Sequence, residues 1–231
     1  MISFVIPAYN EERYLGATLT AIHDAMKEIG ARYEVVVADD ASTDHTATVA
    51  ANLGARVVRV EKRQIAGTRN AGAHATRGAT LVFVDADTRV NAAVLRGVIA
   101  AMEAGAVGGG AGVQFDSAPR WATNFIKVLV PFFRAMRWAA GCFLFCRRDA
   151  FDAVGGFDEA YYASEEIHIS RALGRKGRFV VLREAVTTSG RKTEKYSFWA
   201  TVGLCLRLMA GGLGAVKSRR VTAGFWYDGK R

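Results

Sequence analysis

Four short acidic clusters stand out along the chain: Glu11-Glu12, Asp39-Asp40, Asp85-Ala86-Asp87 and Glu165-Glu166. Two carboxylates separated by one residue at a strand end can turn toward one hard divalent cation. Mg2+ or Mn2+ takes such oxygen ligands while also holding phosphate oxygens. Asp85 and Asp87 have that spacing, although an isolated pair of this kind is more often a solvated turn ahead of a helix, so the neighbours must decide. Arg69, within Gly67-Thr68-Arg69-Asn70-Ala71-Gly72, offers positive charge to a diphosphate. The glycines there allow close backbone approach at the start of a helix whose dipole favours an anion. Taken alone, the segment fits a surface helix salt bridge for Arg69 equally well. Asp40 can accept hydrogen bonds from a nucleobase edge or a ribose hydroxyl, with the Tyr9 ring available to the base. Equally, Asp39 and Asp40 can simply open a turn.

These residues can act together only if the elements around them share a rim. Ile2 to Ala8, Glu34 to Ala38, Arg56 to Val60 and Leu81 to Val84 read as strands alternating with helical patterns, which predicts a parallel sheet. Leu15, Leu19, Ile22, Met26 and Ile29 form one apolar stripe on a helix ending near Gly30. A second helix is expected from Ser42 or Thr43 to before Gly54, a third from Ile65 to Thr76 with its stop near Gly78, and a fourth capped by Asn91 and ending near Gly105. Ligands of open parallel sheets bind beyond the carboxyl ends of the strands. The first, second and fourth strands end in Pro7 to Glu12, Asp39 to Asp44 and Asp85 to Asp87, so three acidic strand ends converge. After that the pattern changes to a glycine-rich run, Gly108 to Gly112, an aromatic and basic stretch, Trp121 to Trp138, and a strand-like Cys142 to Cys146. This is the expected acceptor-facing half of a single domain, with the division near residues 116 and 117.

The 231 residues, 51% apolar and 23% charged, are ordinary for one globular domain and argue against disorder. A net charge of +9 implies an anionic partner. Nucleic acid is set aside because no helix-turn-helix, zinc-finger or ribonucleoprotein signature accompanies the charge. Cys142, Cys146 and Cys205 are odd in number, and the first two would lie about 13 Å apart on a strand at roughly 3.3 Å per residue, too far for a disulfide. Reduced thiols and a beginning without a basic, long-apolar leader point to the cytoplasm. Phe198 to Val216 is largely apolar but contains Arg207, so it is expected to be an interfacial or packed amphipathic helix rather than a membrane span. No Gly-x-x-x-x-Gly-Lys-Ser/Thr loop is present and no Gly-x-Gly-x-x-Gly follows the first strand, which removes the main support for NTPase and dinucleotide readings.

Five motifs in order carry a family resemblance: Val5-Ile6-Pro7-Ala8-Tyr9-Asn10-Glu11, Val37-Ala38-Asp39-Asp40-Ala41-Ser42-Thr43-Asp44, Arg69-Asn70-Ala71-Gly72, Phe83-Val84-Asp85-Ala86-Asp87, and Gly155-Gly156-Phe157-Asp158-Glu159 followed by Glu165-Glu166. From about Ile2 to Leu173 the chain resembles an inverting, hexosyltransferase-like glycosyltransferase of sequence family 2. The resemblance implies an α/β, GT-A-type nucleotide-diphospho-sugar transferase fold with a Rossmann-like, mainly parallel sheet. It implies a UDP- or GDP-linked donor, with Pro7, Ala8, Tyr9, Glu11 and Asp40 holding the nucleoside. Arg69, Asp85 and Ala86 would line the donor pocket, and Asp87, with Asp85, would bind Mg2+ or Mn2+.

The family's usual Glu-Asp pair reads Glu165-Glu166 here, which makes Glu166 the base by position and leaves Glu165 or Asp158 able to share the role. The pair can also serve only the N-terminus of its helix. Many relatives supply a late histidine, whereas no histidine follows His168, itself expected to be structural. Arg191 or Lys192 is expected to clamp the diphosphate instead. Trp121, Phe125, Val128, Leu129, Phe132 and Phe133, with Lys127, Arg134 and Arg137, suit a membrane interface or a glycan or lipid-linked acceptor, the inner face of a membrane being the expected place. The plainer reading of the same residues is an ordinary amphipathic helix packed on the sheet, or a homodimer contact. Within enzymes, a nucleotidyltransferase would share the sheet and the carboxylates, but its lysine-bearing glycine loop is missing. The competing class is a non-catalytic nucleotide-sugar or membrane-surface binding module.

Overall fold

The computed structural model describes residues 1–191 and 193. Strand β1, Ile2–Ala8, is buried along its whole length. That suits a central strand, where both faces are covered and an unbroken apolar run is stable. It pairs in parallel with β2 (Tyr33–Asp40) and β4 (Thr80–Val84), and β2 pairs in parallel with β3 (Arg56–Val60). Helix α1, Glu12–Ile29, turns Leu15, Leu19, Ile22 and Met26 onto the sheet. It stops at Gly30, whose φ of 74° closes the helix with its amide on the Met26 carbonyl. Helix α3 covers Ile65–His74, and α4, Ala92–Glu103, starts where the Asn91 side chain accepts the Val94 amide.

Helix α2 departs from expectation, spanning only Thr46–Asn52. Ser42 and Thr43 do not cap it. The Ser42 hydroxyl accepts the Asn10 amide, the Thr43 amide goes to the Asn10 side chain, and the Asp44 carboxylate accepts the Thr46 amide. The polar residues after β2 are thus spent on the loop after β1.

The second half completes a mixed sheet in the order β3-β2-β1-β4-β7-β6-β8-β5. The glycine run becomes strand β6, Gly108–Phe115. Glycine is required there by the neighbours, since a Cβ on Gly109 would lie 2.2 Å from the Val180 carbonyl oxygen and one on Gly110 2.8 Å from the Ala139 Cα. β7, Phe143–Arg147, is antiparallel to both β4 and β6, so its beginning reaches the acidic rim. β8, Phe179–Thr188, pairs in parallel with β6 and in antiparallel with the short β5, Thr88–Arg89. The aromatic stretch is helix α5, Arg120–Met136, with Pro131 inside it. Helix α6 covers Arg148–Ala153, and α7 covers Glu165–Gly174.

Two apolar layers flank the sheet, one including Phe4, Ile6, Leu15, Leu19, Phe143 and Phe145, the other Val5, Phe83, Phe151, Phe157, Ile169 and Leu173. Phe83 meets Phe157 edge to face at 5.0 Å. Cys142 and Cys146 are free thiols. Among the described residues no helix is long and apolar enough to cross a membrane. Phe198 to Val216, Cys205 and Lys192 lie outside the described residues, and so does the amphipathic helix expected near the C-terminus.

Candidate active site

The carboxyl ends of β1, β2 and β4, the start of β7 and the end of β8 meet along one rim. Two arginines organise it. Arg69, on α3, is buried; one terminal nitrogen lies 2.7 Å from Glu165 and the other 2.8 Å from Asp85 and 2.7 Å from the Gly141 carbonyl oxygen. Its guanidinium also faces the Phe157 ring at 5.3 Å. Burial alone would lower its pKa, but Asp85 and Glu165 outweigh that and raise it, so its charge is fixed. Arg69 was expected to line the donor pocket, and it stands at the rim beside Asp85. Its terminal nitrogens are engaged with Glu165, Asp85 and the Gly141 carbonyl oxygen, which ties three segments of the rim together.

Arg191, just past β8, sits 2.8 Å from both Glu11 and Asp87, with its guanidinium over the Tyr14 ring at 4.4 Å. The preceding turn is tightly built. A Cβ on Gly190 would lie 1.6 Å from the Ser117 carbonyl oxygen, and the Gly190 amide bonds the Asp116 carboxylate at 3.1 Å. Arg191 therefore stands at the rim, where a diphosphate clamp was expected.

Ala86, expected in the donor pocket, is buried. It lies in the turn between β4 and β5, which the Thr88 amide closes on the Asp85 carbonyl at 3.0 Å; its methyl joins the core and its carbonyl accepts the Thr18 hydroxyl at 2.8 Å. Pro7 and Ala8 end β1, and the Arg63 guanidinium lies over the Tyr9 ring at 4.2 Å. Asp40 accepts the Lys62 and Arg63 amides at 2.7 and 2.9 Å and the Thr68 hydroxyl at 3.0 Å, so it orders the loop before α3. Glu11 is buried, and its amide donates to the Thr46 hydroxyl at 2.8 Å.

Glu165 and Glu166 open α7, where the helix dipole favours negative charge. Their fates differ. Glu165 is tied to Arg69, whereas Glu166 faces Gly141, whose missing Cβ would lie 3.3 Å from a Glu166 carboxylate oxygen. Burial, then repulsion from Glu165, push the Glu166 carboxyl up to about 8. Asp158 is drawn elsewhere: its carboxylate accepts the Ala160 amide in a turn, and with Asn70, Glu159 and His168 it lines a separate cavity of about 440 Å3. His168 stacks on Tyr161 at 4.7 Å.

The rim thus gathers five carboxyl groups, of Glu11, Asp85, Asp87, Glu165 and Glu166, around two guanidiniums. An oxygen-only, anion-rich set fits a hard divalent cation. Among the described residues no three His, Cys, Asp or Glu side chains are grouped to enclose a metal, so ligand oxygens or water would have to complete its shell. Cys142 adds no charge, because burial and the nearby Asp85 and Asp87 raise its thiol pKa. Gly141, Tyr14 and Gly190 escaped the sequence reading. A backbone carbonyl carries no sequence signal, and Tyr14 looks like any helix-face aromatic.

The family model for glycosyl transferase family 2 matches residues 3–157. An uncharacterised glycosyltransferase of Mycobacterium bovis is 40% identical over 106 residues, covering 46% of this chain and 45% of that protein. An undecaprenyl-phosphate 4-deoxy-4-formamido-L-arabinose transferase of Pseudomonas fluorescens is 31% identical over 142 residues, 56% of this chain and 41% of that one. The chain thus matches less than half the length of either relative. The solved mannosyltransferase of Pyrobaculum calidifontis, in complex with GDP-Man and Mn2+, superposes with a TM-score of 0.59 at 18% identity, covering 81% of this chain and 56% of that one. The fold is of the GT-A type, an α/β mixed sheet flanked by helices.

Proposed function

The chain belongs to glycosyl transferase family 2, and we propose that it moves a sugar from a UDP- or GDP-linked donor to an acceptor hydroxyl, with inversion and with Mg2+ or Mn2+. The observation that carries the reading is the division of labour along one rim: Arg191 bridging Glu11 and Asp87, and Glu166 standing beside a Glu165 that Arg69 already holds. Pro7, Ala8, Tyr9, Glu11 and Asp40 would receive the nucleoside at the ends of β1 and β2. Asp87, with Asp85, would hold the cation, which when bound supplies Lewis-acid neutralisation of the leaving diphosphate. Arg191 would exchange its carboxylate partners for diphosphate oxygens.

In this mechanism Glu166 removes the acceptor hydroxyl proton as that oxygen attacks the anomeric carbon. The new bond forms opposite the breaking bond to the diphosphate, which leaves with the bonding electrons, and the configuration inverts. A carboxyl with a raised pKa holds the proton well once it has taken it. Arg69 acts through Asp85 and Glu165 as a positioning residue. Support for the donor class and the metal comes from the Pyrobaculum calidifontis neighbour, solved with GDP-Man and Mn2+, and support for a lipid-linked acceptor from the name of the Pseudomonas fluorescens relative. A glycan hydroxyl is the other acceptor the reading admits.

The test is incubation with UDP- and GDP-sugars and Mn2+, following the anomeric configuration of the product by NMR. Inverted product formed by the wild type and lost in Glu166→Gln, with donor binding kept, is the expected result. Retained configuration would overturn the single-displacement mechanism, and no turnover of any donor would favour the binding-module reading.

A further inference from the structure

Helix α5 presents a bare apolar stripe to solvent. Val128, Phe132 and Met136, spaced by four residues and so aligned on one face, are 74%, 51% and 45% exposed. The other large hydrophobics exposed among the described residues are Met1 and Leu53, far from this helix in sequence. Pro131 and Ala135 lie exposed beside the stripe. The opposite face is anchored. Ile126 and Val130 pack against the core, and Arg134 donates to the Leu182 carbonyl at 3.0 Å.

The charges around the stripe select its partner. Arg120–Met136 contains no aspartate or glutamate, Arg120 and Lys127 are exposed, and the exposed Arg137 follows at once. Phe132 and Phe133 cluster with Trp138, whose ring carries the Arg171 guanidinium at 4.6 Å. A second copy docked face to face would set these cations against themselves, and the chain as a whole carries +9. An apolar stripe with aromatic and cationic flanks matches an anionic lipid surface, into which such a helix sinks in the plane of the headgroups. At about 1.5 Å per residue its 17 residues extend about 26 Å, lying along the surface.

The geometry points to α5 as the element that docks this protein on an anionic bilayer. Both ends of the helix are joined to the rim. Asp116, just before it, holds the Gly190 amide next to Arg191, and Gly141, just after it, bonds Arg69 and faces Glu166. The docked helix holds the rim close to the membrane, where an acceptor hydroxyl or phosphate on a lipid headgroup would be presented. The docking stands apart from the transfer reading, because vesicle binding needs neither donor nor turnover.

The experiment is co-sedimentation of the full chain with vesicles of phosphatidylcholine alone and of phosphatidylcholine with phosphatidylglycerol. The wild type should sediment with the mixed vesicles and less so at high salt. The double variant Val128→Asp, Phe132→Asp should bind them about tenfold or more weakly, with its circular dichroism unchanged, and Lys127→Glu should fall between. Vesicle binding unchanged by the double variant would overturn the proposal and move the contact to another part of the chain. So would a wild type that ignores both vesicle types. A wild-type dimer that the double variant makes monomeric, without vesicle binding, would overturn it in favour of a second copy.

Discussion

The two arginines of the rim stand in different regions and are built differently. Arg69 comes from a helix packed on the sheet, has a side chain 3% exposed, and binds two carboxylates and a carbonyl drawn from three separate segments. Arg191 comes from the turn after β8, has a side chain 18% exposed, and binds two carboxylates across a surface a ligand can reach. Breaking a buried, multiply bonded pair strands charge without water, whereas a partly exposed one can trade protein oxygens for ligand oxygens. On the proposed reading the first arginine is scaffold and the second an exchangeable contact.

Removing the scaffold should have the largest effect. Arg69→Met leaves Glu165 and Asp85 without their buried partner and should cost about 3–5 kcal/mol in denaturant unfolding. A loss below about 1 kcal/mol would show that the cluster is not the fixed member of the comparison. Next in size is Glu166→Gln, which should lower kcat by about 10²–10⁴ while nucleotide affinity is kept.

The same residue gives a pH signature. Its carboxyl titrates near 8 in the fold against about 4.3 in an unfolded chain, so over that window the folded state binds more protons. Unfolding free energy should then fall as pH rises, and the Gln variant should flatten that slope. Turnover by the wild type should rise over the upper part of the window as the base loses its proton. A pH–stability profile identical in the two proteins would remove the assignment.

Smaller effects fall on the exchangeable side. Arg191→Ala should weaken nucleoside-diphosphate binding about tenfold, the size of one charge-assisted hydrogen bond, and change stability far less than Arg69→Met. Unchanged affinity and rate would withdraw the clamp. Arg63→Ala, which uncovers Tyr9, should change stability by less than about 1 kcal/mol, the scale of an exposed cation–π contact, and thermal melting would register anything larger.

How much of this was legible follows the range of the interactions. The Leu15 to Met26 stripe, the Gly30 stop and the Asn91 cap are set by residues within a few positions, and the structure has them where the periodicity and capping residues predict. The start of α2 was not readable, because Ser42 and Asp44 bond partners more than thirty residues earlier, Asn10 and Glu12. Strand β6 hides in a glycine run whose cause is the Val180 carbonyl oxygen across the sheet. The burial of Ala86 was not readable either, because it sits in a turn and its carbonyl accepts the hydroxyl of Thr18, far earlier in the chain. The motif residues told which groups gather at the rim. They did not tell that Arg69 is consumed by its own carboxylates, because burial and the Gly141 carbonyl belong to the fold.

The account rests on the rim as a nucleotide-sugar site, and calorimetric titration of nucleoside diphosphates tests it most directly, with and without Mn2+, on the wild type and Asp87→Ala. One nucleotide bound in a Mn2+-dependent manner, and lost in the variant, is the predicted result. Binding that neither Mn2+ nor the loss of Asp87 alters, or no nucleotide bound under any condition, would contradict it.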